Sequence, residues 1–130
     1  MKILVTGGAG FIGSFLVDRL VELSHDVRIF DNLDEQVHAG SKKPSYLNKN
    51  AEFIQGDVRD REALRKAIED VEVIYHEAAV VGVGQSQYEI KKYNDVNIGG
   101  MANVLDIFCL LYTSPSPREL STSRMQSSAC

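Results

Sequence analysis

Three glycines spaced three residues apart constrain this chain more than any other feature of its sequence. Gly7, Gly10 and Gly13 follow the apolar run KILVT at residues 2–6, and a helical pattern of apolar residues begins at residue 11. In such a turn the backbone can approach a pyrophosphate closely, and the first amides of the helix face its phosphates. The pattern favours a phosphate-binding turn, although the glycines alone also fit an ordinary turn between a strand and a helix.

Strand patterns and helix patterns alternate along the chain, which predicts an α/β fold. The alternation implies βαβ units, a parallel sheet and flanking helices. The predicted strands are residues 2–6, 26–30, 51–57 and 71–79, with helices over 11–23, from the N-cap Asp60, and from about residue 88 or 90 to 108.

All three predicted helices have apolar residues at a spacing that places them on one face. In the second helix these residues are Ala63, Leu64, Ala67 and Ile68. The segments 33–50 and 80–86 are interpreted as loops, the first with a turn of helix. The residues expected to face the core are Phe11, Ile12, Phe15, Leu16, Leu20 and Leu23 in the first helix, and Met101, Val104, Leu105 and Phe108 in the last.

Polar or small residues follow the other three strands, at the edge of the sheet where a dinucleotide lies in folds of this kind. Asp31 comes 18 residues after Gly13, and its carboxylate can accept hydrogen bonds from an adenosine ribose. The same charge would repel the 2′-phosphate of NADP, so Asp31 favours NAD. Taken singly, each residue is also what an ordinary turn contains. The candidates are Asp31 and Asn32, Asp57 and Val58, and Ala78 and Ala79.

Composition narrows the class of protein further. The chain has 130 residues, enough for one domain, and its net charge of −4 comes from interspersed acidic and basic residues, which argues against nucleic acid as a partner. Neither a signal peptide nor an apolar run of about 18 residues is present, so a cytoplasmic protein without a membrane partner is expected. Cys109 and Cys130 lack the spacing of zinc ligands, and no metal site is predicted.

At this point the sequence resembles the extended short-chain dehydrogenase/reductase family, in its NAD-dependent epimerase/dehydratase branch. The resemblance covers residues 1 to about 107. It is carried by the segments TGGAGFIG, DN, GDVRD, HEAA and VNIGG, in the order and approximate spacing of the family. Two departures are Glu77, where an apolar residue is common, and Met101, where a threonine is usual.

The resemblance implies a Rossmann-type doubly wound parallel sheet with strand order 3-2-1-4, which would be incomplete because the sequence supplies only strands 1 to 4. It also implies an NAD cofactor and a role for each matching residue. The amides near Phe11 and Ile12 would meet the pyrophosphate. Asp31 with Asn32 would meet the adenosine ribose. The remaining implied contacts are Asp57 and Val58 at the adenine, Ala78 and Ala79 along the middle of the cofactor, and Asn97 near the nicotinamide-side ribose.

The segment AAVVGVGQSQYEI is similar to the loop after the fourth strand in nucleotide-sugar 4-epimerases of UDP- or dTDP-sugars. There Gln85 and Ser86 would face the sugar, unless they belong to a solvated loop. Such enzymes use a Tyr-x-x-x-Lys pair with a Ser or Thr for proton transfer, and they are commonly homodimers. Tyr88 and Lys92 have this spacing but lie one βα unit too early, so we interpret them as a chance match and name no catalytic residue.

Residues 109–130 form a Ser/Thr/Pro-rich stretch without periodicity, and we interpret it as a foreign or disordered tail. The domain would then be residues 1–108, the N-terminal part of an NAD(P)-binding Rossmann domain. The chain is expected to be the NAD-binding portion of a nucleotide-sugar epimerase or dehydratase, inactive by itself. A non-catalytic NAD-binding or sensing module, and a reductase of the same family, remain alternatives.

Overall fold

One parallel sheet forms the centre of the protein, in a computed structural model that describes residues 1–35 and 37–112. Its strands are β1 (Lys2–Thr6), β2 (Asp26–Asp31), β3 (Glu52–Gln55) and β4 (Val73–His76). They lie in the order β3-β2-β1-β4, which confirms the predicted order. Because all the pairings are parallel, the carboxyl ends of the four strands meet at the same edge of the sheet.

α-Helices follow β1, β3 and β4 in the described part of the chain. They are α1 (Phe11–Glu22), α2 (Arg61–Ile68), α3 (Val83–Ser86), α4 (Ile90–Tyr93) and α5 (Gly100–Tyr112). Between β2 and β3 lies a 3-10 turn, Ala39–Ser41, within the loop where one turn of helix was predicted. A π-helical stretch, Asn94–Gly99, joins α4 to α5. Asp60 is the N-cap of α2, as predicted, because its carboxylate accepts a hydrogen bond of 3.2 Å from the amide of Ala63.

Hydrophobic side chains fill two layers, one on each face of the sheet. Successive residues of a strand point to opposite faces, so Ile3 and Val5 of β1 contribute to the core beside α1, whereas Leu4 contributes to the core beside α2 and α5. Burial on both faces explains why β1 is a nearly continuous apolar run in the sequence. The fold is therefore the doubly wound Rossmann type that the sequence predicts.

The face that α1 turns toward the sheet differs from the predicted one. It buries Gly13, Val17 and Leu20. Gly13 has no side chain, so α1 can approach the turn after β1 most closely at this point. That approach fixes the rotation of the helix and turns three predicted core residues outward: Phe11, Ile12 and Phe15 are 81%, 66% and 65% exposed. A fourth, Leu23, directly follows the helix and is 52% exposed.

The buried face of α5 also differs in part from the prediction. Val104 and Ile107 are buried, while Met101 and Leu105 are largely exposed. A Cβ at Gly100 would lie 2.6 Å from Val58 Cγ2. The absence of a side chain at Gly100 therefore lets this end of α5 approach Val58, in the turn after β3. The close approach orients the helix.

Several boundaries lie elsewhere than the sequence predicts. β3 and β4 are shorter than the predicted strands 51–57 and 71–79. The predicted loop 80–86 includes the short helix α3, and α5 continues to Tyr112, so residues 109–112 of the predicted tail are helical. Residues 113–130, the rest of that tail, lie outside the described part of the chain.

Candidate functional site

The turn between β1 and α1 is built by contacts that only glycine allows. Gly7 has a positive φ of 70°, and a Cβ at this residue would lie 2.7 Å from the backbone of Glu77 and Ala78. A Cβ at Gly13 would lie 2.2 Å from the carbonyl oxygen of Gly7. Gly7 therefore lets the turn pack closely on the residues after β4, and Gly13 lets α1 pack closely on the turn.

The amides at the start of α1 lie ahead of the helical hydrogen-bond ladder. The amide of Gly10 donates to the carbonyl of Gly7 over 3.1 Å, and the first bond of the helix runs from Ser14 to Gly10 over 2.9 Å. The amides of Phe11, Ile12 and Gly13 are left at the positive end of the helix dipole. This arrangement can bind an anion such as a phosphate.

Asp31 lies at the carboxyl end of β2 and is only 9% exposed. Its Oδ2 accepts a hydrogen bond of 3.0 Å from the amide of Ala9, and its Oδ1 accepts one of 2.8 Å from the amide of Leu33. Asp31 therefore joins the glycine turn to the turn after β2. Each carboxylate oxygen keeps a further acceptor position, so the group can still accept hydrogen bonds from ligand hydroxyls.

Asp57 follows β3 and forms an ion pair with Arg59. Its Oδ2 lies 2.6 Å from Arg59 Nη2, and its Oδ1 accepts from Arg59 Nε over 3.0 Å and from the Arg59 amide over 2.8 Å. These hydrogen bonds lower the pKa of the Asp57 carboxyl against the opposite effect of its partial burial. Asn32 Nδ2 reaches Asp57 Oδ2 over 3.4 Å, which brings the candidate residues after β2 and β3 together.

A hydrogen-bond network joins the ends of β1 and β4. The hydroxyl oxygen of Thr6 lies 2.7 Å from His76 Nδ1 and accepts a hydrogen bond of 3.2 Å from the Ala78 amide. Burial lowers the pKa of the His76 imidazole, and the charge of Glu77 opposes that shift. The network holds the backbone of residues 76–78 against the glycine turn.

Asn97 lies in the π-helical stretch between α4 and α5. Its Oδ1 accepts a hydrogen bond of 2.8 Å from the Val80 amide, and its Nδ2 donates one of 3.0 Å to the Val80 carbonyl. The amide group thereby pairs with the backbone as a neighbouring strand would. Asn97 fixes the path of the chain just after β4, and it does not line the cavity described next.

One cavity lies at the carboxyl edge of the sheet, and eight of the twelve predicted cofactor residues line it. These eight are Gly7, Gly10, Asp31, Asn32, Asp57, Val58, Ala78 and Ala79. Phe11, Ile12, Gly13 and Asn97 are not among its lining residues. The fold thus gathers the residues that follow all four strands, as expected where parallel strands end.

Sequence reasoning did not single out several lining residues. Gly56 carries a readable signal, a glycine directly after the apolar run of β3, and the structure explains it, since a Cβ there would lie 2.5 Å from the Phe30 ring. Val37 and His38 come from the turn after β2, where no pattern indicates which side chains point inward. The lining residues that were not predicted are Phe30, Asp34, Val37, His38, Gly56, Glu77, Val80, Val81 and Val96.

Residues 3–118 match the NAD dependent epimerase/dehydratase family. The chain belongs to this family. The match confirms the resemblance noted in the sequence, and it extends into the segment that lies beyond the described residues.

Relatives that are named as 4-epimerases match most of the chain. The chain is 40% identical over 107 residues to a dTDP-L-rhamnose 4-epimerase from Burkholderia thailandensis, covering 81% of this chain and 30% of the relative. It is 40% identical over 102 residues to a UDP-glucose 4-epimerase from Neisseria meningitidis serogroup B, covering 76% and 30%. The chain therefore spans about a third of the length of these relatives.

Solved structures of the family have the same fold. A UDP-glucose 4-epimerase from Thermus thermophilus, in complex with NAD, superposes with a TM-score of 0.73 at 34% identity, covering 86% of this chain and 34% of that one. The enzyme from Thermotoga maritima, with UDP-glucose, gives a TM-score of 0.75 at 36% identity, covering 87% and 35%.

The predicted sugar-facing residues lie outside the cavity. Gln85 and Ser86 belong to α3, where Gln85 is exposed and the Ser86 hydroxyl donates to the Val83 carbonyl over 2.7 Å. Of the Tyr-x-x-x-Lys match, Tyr88 is 87% exposed, and Lys92 Nζ lies 3.4 Å from Asp34 Oδ2. Lys92 thus pairs with a residue that lines the cavity.

The described residues contain neither a metal-binding cluster nor a membrane-spanning helix. No group of three or more His, Cys, Asp or Glu side chains there is arranged to hold a metal ion. Within the same ranges, no helix has the length and apolar character needed to cross a membrane.

Proposed function

We propose that this chain binds NAD in the cavity at the carboxyl edge of its sheet and is the cofactor-binding portion of a nucleotide-sugar 4-epimerase. The observation that carries the proposal is the convergence of the glycine turn, Asp31 and Asp57 on one cavity. The similarity to UDP-glucose and dTDP-L-rhamnose 4-epimerases supports the choice of reaction and of a UDP- or dTDP-sugar as substrate.

The residues around the cavity fit a dinucleotide. The amides of Phe11 and Ile12 would bind the pyrophosphate, where the helix dipole favours negative charge. Asp31, with Asn32 beside it, would accept hydrogen bonds from the adenosine ribose and would repel a 2′-phosphate, which favours NAD over NADP. The side chain of Asp57 would reach the adenine, next to Val58.

The middle of the cofactor would cross the end of β4. Ala78 and Ala79 are small, and the Thr6 network holds their backbone in place, so a flat ligand can pass close to it. Asn97 would act near the nicotinamide-side ribose by holding the chain at Val80, since its amide group is bonded to the backbone there. When bound, NAD would accept a hydride from the sugar and return it.

We propose that this chain alone does not turn over substrate. The proton-transferring Tyr-x-x-x-Lys pair of the family is matched only by Tyr88 and Lys92, and Lys92 pairs with Asp34. Gln85 and Ser86 would contact the sugar from α3. A domain limit at residue 108, a foreign tail over 109–130, a cytoplasmic location and a homodimer remain predictions.

Calorimetric titration of the chain with NAD and NADP tests the cofactor proposal. We expect NAD to bind more tightly than NADP, and Asp31→Asn to reduce that preference because the charge facing the 2′-phosphate is removed. Asp106→Asn is a matched control, since Asp106 pairs with Arg61 on the helices and does not line the cavity. Failure of the wild-type chain to bind NAD would contradict the proposal.

A second assay tests whether the chain alone catalyses epimerisation. The chain is incubated with NAD and UDP-glucose, and UDP-galactose is measured by chromatography. No product is expected, whereas conversion would contradict the proposed inactivity. The gene sequence beyond codon 107 decides between the remaining alternatives. An uninterrupted frame with a Tyr-x-x-x-Lys pair supports an epimerase, and a natural stop after residue 130 supports a non-catalytic NAD-binding module.

A further inference from the structure

Both peptide groups of Ala9, in the middle of the glycine turn, are held by side chains from later in the chain. The Ala9 amide donates to Asp31 Oδ2 over 3.0 Å, and the Ala9 carbonyl accepts a hydrogen bond from the Tyr46 hydroxyl over 2.5 Å. Asp31 was expected from the sequence to lie at this site. Tyr46 was not, because it is 37 residues from Ala9 in a segment without a recognisable pattern.

The hydrogen bond from Tyr46 fixes one particular peptide plane. The group between Ala9 and Gly10 is bonded at both ends, since its carbonyl accepts from Tyr46 and its amide donates to the Gly7 carbonyl over 3.1 Å. Gly10 is the residue that precedes α1, and a glycine imposes little rotational restraint of its own. Without the phenol, this plane would be held at its amide end only.

Tyr46 is itself held in place, although its side chain is half exposed. The next residue, Leu47, is 6% exposed in the core beside α1. Asn48 Nδ2 donates to Asp18 Oδ1 of α1 over 3.1 Å. The segment is therefore attached to the same helix whose first amides are proposed to bind phosphate. Burial, and then the charge of Asp31, raise the pKa of the Tyr46 hydroxyl, so it remains a hydrogen-bond donor at neutral pH.

We propose that Tyr46 is a positioning residue for the pyrophosphate of the cofactor. It does not touch the ligand, and it acts by orienting the peptide before Gly10, so that the amides of Phe11 and Ile12 point at the phosphates. Preorganised donors bind more tightly than donors that must be ordered on binding. The proposal rests on the proposed NAD binding and adds a residue outside the recognisable motifs.

The test compares three ligands with two tyrosine variants of the full 130-residue chain. Tyr46→Phe removes only the hydroxyl. Tyr93→Phe is the matched control, because the Tyr93 hydroxyl also donates to a backbone carbonyl, that of Gly82, over 3.1 Å, but away from the glycine turn. Affinities for NAD, ADP-ribose and adenosine are measured by NMR titration. NAD and ADP-ribose carry the pyrophosphate, and adenosine lacks it.

We expect Tyr46→Phe to weaken NAD and ADP-ribose by about three- to tenfold, the effect of losing one neutral hydrogen bond, and to leave adenosine unchanged. Faster hydrogen exchange at the Gly10 amide without ligand should accompany this loss. Tyr93→Phe should bind all three ligands as the wild type does.

Three results would overturn the proposal. The first is unchanged NAD affinity in Tyr46→Phe. The second is an equal loss for all three ligands, which indicates a general structural defect. The third is a wild-type chain that binds no NAD, which would overturn the proposed function as well. In the first two cases the wild-type chain still binds NAD, so only the role of Tyr46 is contradicted and the proposed cofactor binding is not.

Discussion

Replacing Gly13 by alanine should destabilise the chain at the junction of β1 and α1. The added Cβ would lie 2.2 Å from the Gly7 carbonyl oxygen, 2.8 Å from Gly8 Cα and 2.9 Å from the Gly7 carbonyl carbon. All three are backbone atoms, so no flexible side chain can move aside. Overpacking of this kind costs about 1 to 3 kcal/mol, and alanine regains about 1 kcal/mol of helix propensity.

Because the clash is with backbone, we take the upper end of that cost and expect a net loss of about 2 kcal/mol. Small domains are stabilised by only about 5 to 15 kcal/mol, so the loss is measurable as a lower urea midpoint with an unchanged slope. NAD affinity should fall as well, since the first turn of α1 moves away from Gly7.

Gly84→Ala is the control for this substitution. Gly84 also lies in a helix, α3, but no atom lies within 4 Å of the position that its Cβ would take. Gly84→Ala should be neutral, or stabilising by up to about 1 kcal/mol. If Gly13→Ala proves as stable as Gly84→Ala, close packing is not the reason for a glycine at residue 13.

Three further predictions concern charged groups. Arg59→Gln should raise the pKa of Asp57 toward its usual value, about 3.9, as followed by NMR titration of the carboxyl; an unchanged pKa would contradict the ion pair. The pKa of His76 is lower in the folded chain than in the unfolded chain. Below about pH 6.5 the unfolded chain therefore binds a proton more readily, and the folded chain loses stability as the pH falls. Above that pH, His76 is neutral in both states and this loss is absent. The urea midpoint should therefore decrease less with falling pH in His76→Asn than in the wild type. An equal decrease in both proteins would rule out His76 as its source. Arg28→Met should cost about 2 kcal/mol in urea denaturation, because the buried guanidinium donates to the carbonyls of Ala67 and Glu69; an unchanged midpoint would show that these bonds add nothing.

The strands, and the helix after each of the first and third strands, could be predicted because these signals are local. The order of the strands joins residues as far apart as Ile3 and Val73, and it was predicted from the fold of the family that the motifs resemble. β1 begins and ends at the predicted residues, and Asp60 caps α2 as its sequence position indicates. The candidate residues at the strand ends also lie together, because parallel strands ending at one edge leave no other arrangement.

The faces of the helices could not be read from periodicity alone. Phe11, Ile12 and Phe15 have a spacing that fits a buried face, yet the buried residues of α1 include Gly13 and Val17. Hydrophobicity favours the large side chains, but the rotation of the helix follows from the place where its backbone approaches the turn. The periodicity of apolar side chains does not register glycine, so it does not show that Gly13 faces the sheet.

The strands, the glycine turn and the set of residues at the strand ends could be recognised in the sequence, because each is encoded by residues close together in the chain. What those residues bond to depends on the tertiary structure. It showed that Asp31 holds the Ala9 amide, that Asn97 holds Val80, and that Tyr46 reaches the Ala9 carbonyl. These contacts join residues 17 to 37 positions apart, and their partners are set by how the loops pack on the sheet, which no local pattern encodes.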